Sequence, residues 1–269
     1  MSYMSIVRES YRPLPNRLYH FTRGDAAFSI ISGGKGLNEE ICFWLKNAQT
    51  KNDETELKLG AALTDRLKAY MHEHGRSSLF NEIIINPGLV FINSFTEGEG
   101  VSDHMLEEYG NFRLEFDFRG CRLECAFREC SYFEESDIDE LTACYCSTFD
   151  RYWPRISGEE KDINALFEYL REGMSAVMSI PLLKHRKEWE MENEWRQVFH
   201  RQPVDNRVFS MRDESPRMKV YYPATSLVGV TCYVDSKNKG KTLPYYYKIK
   251  EWVKRHGWKT KVSIVGVDG

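Results

Sequence analysis

The chain lacks any apolar run near the roughly 18 residues that a membrane-spanning helix needs. It also lacks a secretory hydrophobic region after Met1, so we expect a cytoplasmic protein without a membrane partner. Its seven cysteines form no C-x-x-C motif and have no histidine at metal-ligand spacing. We therefore expect buried or free thiols and no metal site, as suits a reducing compartment.

The chain has no strong excess of charge of either sign. Its 37 basic and 40 acidic residues leave a formal net charge of -3, so the overall field neither steers nor repels nucleic acid strongly. Residues 237–261 depart from this balance, with eight lysines and one arginine against a single glutamate. They form either a polyanion-binding patch or the solvated side of an amphipathic helix. In the second interpretation Tyr247, Ile249, Trp252 and Val253 form the apolar face.

Internal repeats and low-complexity stretches are absent, and no glycine-rich loop suits a phosphate. The Gly33-Gly34-x-Gly36 run has neither dinucleotide-binding spacing nor the Lys-Ser/Thr of a P-loop, so it predicts a turn. The order of strands and helices also lacks the regular alternation of a parallel doubly wound sheet. With 269 residues and a 42% hydrophobic share, the simplest account is a single α+β domain spanning residues 1–269.

Hydrophobic periodicity predicts the main elements. Residues 55–74 repeat apolar side chains at spacings of three and four, which predicts an amphipathic helix. Residues 112–118 alternate apolar and charged side chains, which predicts a half-buried strand. A capping-box pattern at residues 157–160 predicts the start of a helix that Pro181 ends. The other predicted elements are strands at residues 17–22, 89–96, 218–222, 226–234 and 260–267, a short helix stopped by Gly33-Gly34, and a helix between the last two strands.

Residues 189–196, with the sequence WEMENEWR, contain an E-x-E step just before an apolar pair. If this segment is a strand, alternate residues share a face, so Glu192, Glu194 and Arg196 project together. Two carboxylates in one space raise a pKa or require a partner, which is more typical of a site than of a plain surface. The alternative interpretation is a solvated helix end with a charged face.

Four short blocks carry a resemblance that spans nearly the whole chain. The blocks are Leu18-Tyr19-His20-Phe21-Thr22, Asn52-Asp53-x-x-Glu56, Ser94-Phe95-Thr96 with Tyr109-Gly110, and Trp189-x-x-Glu192-x-Glu194-Trp195-Arg196. In this order they resemble a widespread bacterial family known only as a domain of unknown function, whose relatives include abortive-infection proteins of phage defence. The resemblance implies a toxin or anti-phage effector, with an antitoxin or defence-system partner. The chain departs from the pattern before Tyr109, where Met105-Leu106 stand near the place of the family's usual tryptophan.

The same layout is similar, more distantly, to the ADP-ribosyltransferase superfamily. That resemblance implies two small twisted, mostly antiparallel sheets with flanking helices, and a cleft between the sheets that binds NAD as a substrate. It assigns His20 with Thr22 to the first strand of the site. It assigns Ser94 and Phe95, or Tyr109, to the middle of the site, and Glu194 to a late strand.

The chemistry of NAD gives the acidic residues their expected roles. Loss of nicotinamide leaves an oxocarbenium-like ribose, so a carboxylate is needed to hold the ribose hydroxyl and stabilise the developing positive charge. Glu194 is the candidate. Glu192 would orient or deprotonate the acceptor on a macromolecular target, protein or nucleic acid. Arg196 would neutralise the pair.

The remaining candidates would bind NAD. The His20 imidazole can donate to a ribose hydroxyl, Thr22 can add a hydrogen bond, and Tyr109 or Phe95 can stack on the nicotinamide ring. Each has a structural alternative, because His20 can be a satisfied histidine of a half-buried strand, and Ser94 and Phe95 can be strand and core residues.

Asn52 can face the cleft, whereas Asp53 is better explained as a helix start. Two other functions remain open. The first is a metal-dependent nuclease, in which clustered carboxylates hold Mg²⁺ for phosphodiester cleavage. Its candidate residues are Asp53, Glu56, Glu192 and Glu194, with Lys187. The second is a non-catalytic sensor that binds a nucleotide or a protein segment.

Overall fold

The computed structural model describes residues 12–34, 39–48, 58–76, 90–98, 100–159, 162–185, 193–200, 208–211 and 214–267. These residues form an α+β structure, as the sequence predicted, and its sheets are mixed. The helices within them are α1 Gly24–Ser32, α2 Lys58–Glu73, α3 Asp103–Glu108, α4 Asp137–Ser157, α5 Ile163–Ser179 and α6 Lys239–Arg255.

The strands are distributed along the whole described chain. They are β1 Leu18–Thr22, β2 Glu40–Asn47, β3 Val90–Thr96, β4 Phe112–Phe116, β5 Phe127–Glu129, β6 Ser131–Phe133, β7 Leu183–His185, β8 Glu194–His200, β9 Val208–Met211, β10 Glu214–Pro223, β11 Leu227–Val234 and β12 Lys261–Gly266. Short 3-10 turns lie at Glu124–Ala126, Ile180–Leu182 and Ala224–Ser226.

Most predicted elements are confirmed, but the helix start predicted at residues 157–160 is wrong. Ser157 is the last residue of α4, a helix that the sequence pattern did not reveal. The next helix, α5, begins at Ile163, and the carboxylate of Asp162 accepts a hydrogen bond from the Ala165 N–H at 3.0 Å. An aspartate before the first turn therefore caps α5. The end predicted at Pro181 is confirmed, since α5 stops at Ser179.

The chain divides into two compact units, each built from three separate stretches. The first unit contains residues 1–12, 46–92 and 128–205, and the second contains residues 13–45, 93–127 and 206–269. Strands β2, β3 and β5 have residues in both units. A compact unit of contacts is not by itself an independently folding domain, so the single-domain expectation stays a prediction.

The first unit has a core formed between helices α2, α4 and α5. Helix α4 packs against both α2 and α5. Burial of this apolar surface drives the packing, since each helix turns its apolar stripe inward. The fully buried members of this core include Leu63, Met71, Ile138, Phe149 and Tyr169.

The second unit has a ladder of five strands in the order β12-β11-β4-β1-β3. Strand β4 is antiparallel to both β1 and β11, whereas β12 is parallel to β11. Helices α1 and α6 pack together, and both contact the ladder. Because β4 alternates as predicted, Phe112, Leu114 and Phe116 are fully buried while Arg113 and Glu115 are partly exposed.

Candidate functional site

A buried carboxylate lies at the start of β8. Glu194 and Arg196 share a face of this strand, as the alternation predicted, and Lys184 reaches the same carboxylate from β7. The Lys184 Nζ lies 2.5 Å from Glu194 Oε2. Arg196 donates from Nε to Oε1 at 2.7 Å and from Nη2 to Oε2 at 3.1 Å. We call these three residues the Glu194 cluster.

The backbone around the Glu194 cluster is also held in place. The Glu194 N–H donates to the Tyr132 hydroxyl at 2.8 Å, and its carbonyl accepts the Cys130 N–H at 2.8 Å. Arg196 uses its Nη1 to donate to the carbonyl of Pro181, which follows α5. The cluster is therefore fixed by strand pairing on one side and by the end of a helix on the other.

All three charged side chains of the Glu194 cluster are buried. Glu194 is 4% exposed, Lys184 is 2% exposed and Arg196 is fully buried. Charged groups removed from water need partners, and the carboxylate contacts two cations. A ribose hydroxyl that approached Glu194 would compete with Lys184 and Arg196 for the same oxygens. The predicted neutralising role of Arg196 matches its contact, whereas Lys184 was not predicted, because no sequence pattern links residue 184 to residue 194.

A second cluster surrounds His20 in the other unit. The His20 Nδ1 lies 2.9 Å from the carbonyl oxygen of Ser94 on the neighbouring strand β3. A carbonyl only accepts, so Nδ1 carries the hydrogen. The imidazole also contacts Phe43 edge-on at 5.5 Å and Phe95 at 5.6 Å between ring centroids. The structure thus brings together His20, Ser94 and Phe95, three of the predicted site residues.

The side chains predicted to bind NAD differ in how exposed they are. Phe95 is 2% exposed and packs on Phe118 and Phe127, so the structure shows the core residue of the alternative interpretation. Thr22 is also buried. Tyr109 is 40% exposed and follows directly after the end of α3.

Five predicted residues lie outside the described part of the chain. They are Glu192, Asn52, Asp53, Glu56 and Lys187. The first carboxylate of the E-x-E step and the helix-start block are therefore predictions without a structural placement.

The five-strand ladder carries a polar cleft that the sequence did not indicate. The cleft has a volume of about 460 Å³, and its lining includes Arg17, Arg113, Tyr233 and Lys261. The Arg113 guanidinium carbon lies 4.9 Å from the centre of the Tyr19 ring and 5.9 Å from that of Tyr233. Burial raises the pKa of Tyr233. The lining residues come from the three strands β4, β11 and β12 and from Arg17, which directly precedes β1, so their meeting depends on strand order and not on local sequence.

The described residues contain no group of three or more His, Cys, Asp or Glu side chains placed to hold a metal ion. None of the helices formed by these residues combines the length and apolar character needed to cross a membrane. The six cysteines whose side chains are described are free thiols. Comparison with known proteins finds no matching family model, no matching curated protein and no matching solved structure.

Proposed function

We propose that this chain is an NAD-dependent ADP-ribosyltransferase-like protein that modifies a macromolecular target, as a toxin or anti-phage defence effector. The proposal rests on the order of its four sequence blocks. The single structural observation that supports it is the His20 cluster. Its histidine is held by a backbone carbonyl, with Ser94 and Phe95 on the adjoining strand.

The hydrogen bond to the Ser94 carbonyl suits His20 to ligand binding. It fixes the proton on Nδ1 and so orients the ring. In a neutral imidazole of this tautomer Nε2 is an acceptor, so His20 would accept a hydrogen bond from a ribose hydroxyl instead of the donation expected from the sequence. The ADP-ribosyltransferase-like arrangement of sheets belongs to the same proposal.

The Glu194 cluster sets a condition on catalysis. In a transferase, the carboxylate must contact the ribose as positive charge develops there. Lys184 lies 2.5 Å from Glu194 and draws on the same negative charge, so turnover requires this ion pair to open or to share the oxygen with the ribose. In this proposal Glu194 is the catalytic residue, and its ion pair with Lys184 controls when the carboxylate is available to the ribose.

The test uses NAD labelled in its adenylate part, the purified protein and a bacterial extract as the source of targets. We expect labelled macromolecule together with released nicotinamide. Glu194→Gln should abolish both, and Glu140→Gln, an exposed glutamate of α4, is the matched control. Wild-type protein that neither binds NAD in calorimetry nor releases nicotinamide would overturn the proposal, whatever the variants do.

The ion pairs of Glu194 favour a second candidate, nucleotide binding without turnover. A carboxylate that is 4% exposed and contacts two cations has the features of a structural ion pair. In this case calorimetry detects NAD binding, but neither nicotinamide nor labelled product appears, and His20→Ala weakens binding while Lys184→Met leaves it unchanged.

A further inference from the structure

We propose that the exposed face of α6, with the segment that follows it, binds single-stranded nucleic acid. This surface, the α6 face, comprises the exposed cationic side chains of residues 237–261 together with Tyr247. The proposal does not depend on NAD chemistry, because it uses different residues and a different ligand.

The first argument is charge. Residues 237–261 contain nine cations and one acid, and the side chains of all nine cations are exposed. The one acid, Glu251, lies 3.7 Å from Arg255, a contact between two exposed side chains that contributes little. Since the whole chain has a formal net charge of -3, the positive charge is concentrated here against a negative remainder. Such concentration attracts a polyanion locally even when the net charge is negative.

The second argument is the geometry of the helix. Thr242, Tyr246, Ile249 and Val253 form the buried face of α6. Opposite this face, Lys241, Lys248 and Arg255 follow one another at intervals of seven residues, so they line up in one row. At a rise of about 1.5 Å per residue the row is roughly 21 Å long. A strand stacked as in a duplex rises about 3.4 Å per nucleotide, so the row extends over about six steps of a stacked strand and over fewer steps of an extended one.

The third argument is an exposed aromatic ring among the cations. Tyr247 is 61% exposed, and its ring lies edge-on to Tyr246 at 5.2 Å. The sequence interpretation that placed Tyr247 on the apolar face is therefore wrong, because Tyr246 occupies that face instead. An exposed tyrosine beside lysines is the arrangement that stacks on unpaired bases while the cations follow the backbone. A polyanion without bases would not use this ring, which is why we assign nucleic acid.

The experiment measures binding of a fluorescent 20-nucleotide DNA or RNA strand by anisotropy between 50 and 300 mM salt. If Lys241, Lys248, Lys254 and Arg255 each neutralise a phosphate, the slope of log K against log salt is about -3. Lys248→Gln combined with Lys254→Gln should reduce the slope to about -1.5 and weaken binding about 25-fold at 0.1 M salt. Tyr247→Ala should weaken binding at least about fivefold without changing the slope.

Two controls make the test specific. Lys46→Gln combined with Lys68→Gln removes the same charge from exposed positions elsewhere and should leave binding within twofold of wild type. Heparin supplies a polyanion without bases. The proposal is overturned if no strand binds at 50 mM salt, if the two double variants weaken binding equally, or if Tyr247→Ala has no effect and heparin competes as well as unlabelled strand.

Discussion

Replacing Glu194 by glutamine tests what holds the Glu194 cluster together. The change keeps the size of the side chain but removes the negative charge that Lys184 and Arg196 contact at 2.5 and 2.7 Å. Both cationic side chains are at most 2% exposed, so water cannot take the place of the carboxylate. Breaking a buried ion pair from one side costs about 3–5 kcal/mol. We expect a loss of stability in that range.

Lys184→Met is the matched comparison. It removes one cation, but Glu194 keeps both hydrogen bonds from Arg196, at 2.7 and 3.1 Å. The expected loss is that of one charge-assisted hydrogen bond, about 1.5–3 kcal/mol. We therefore expect Glu194→Gln to destabilise the protein more than Lys184→Met. Among the described residues the carboxylate contacts two cations, and one of them remains when Lys184 is lost.

Urea unfolding followed by tryptophan fluorescence and by circular dichroism measures both variants. Coincident transitions are required before free energies are compared, because two compact units can unfold separately. With a slope of about 3 kcal/mol per M, Glu194→Gln should lower the midpoint by roughly 1–1.7 M. A midpoint within about 0.3 M of wild type, or a larger effect from Lys184→Met, would refute the reasoning.

Two further predictions concern the backbone and the pH dependence. Gly110 has φ +117°, and a Cβ there would lie 2.7 Å from the backbone of residues 22–23. Gly110→Ala should therefore lower the free energy of unfolding, measured by urea, by about 1–3 kcal/mol. Gly240→Ala, where a Cβ meets no atom within 4 Å, should be neutral or stabilising in the same measurement. Burial raises the pKa of Cys146 and Cys232 from 9.0 to about 12. The unfolded chain therefore releases these protons first, and stability should fall as pH rises from 9 to 12, by up to about 1.4 kcal/mol per pH unit for each thiol. Urea midpoints at pH 8, 9.5 and 10.5 measure this fall, which should be smaller in Cys232→Ala; a flat profile would contradict it.

Local patterns predicted many of the elements because their signals lie within one segment. The alternation around Leu114 revealed β4, and the spacing of Leu59, Leu63 and Leu67 revealed α2. Helix α4 was not predicted from the sequence because its first turns carry Asp137 and many polar residues. Its stability comes from packing against α2 and α5. The sequence pattern of one segment carries no information about which other helices will pack against it.

In the candidate site, too, contacts within one strand were predicted from the sequence and contacts between strands were not. Alternation placed Glu194 and Arg196 on one face of a strand, which the structure confirms through their contact. The Glu194 partner Lys184 comes from another strand, β7. The two rings that contact His20 also come from other strands, Phe43 from β2 and Phe95 from β3. Contacts of this kind depend on strand order, which single-sequence periodicity does not encode.

By itself, the sequence determined the α+β class, the positions of six of the twelve described strands and four of the six described helices, the free thiols and the cationic character of residues 237–261. These follow from composition and from periods of 2 and 3.6, which are local properties of a chain. The tertiary structure alone decided which of three consecutive tyrosines in α6 became the exposed one. It also decided that the Glu194 carboxylate would lie between two buried cations. Both outcomes follow from packing between elements distant in sequence, because burial fixes which face of a helix or strand loses its water.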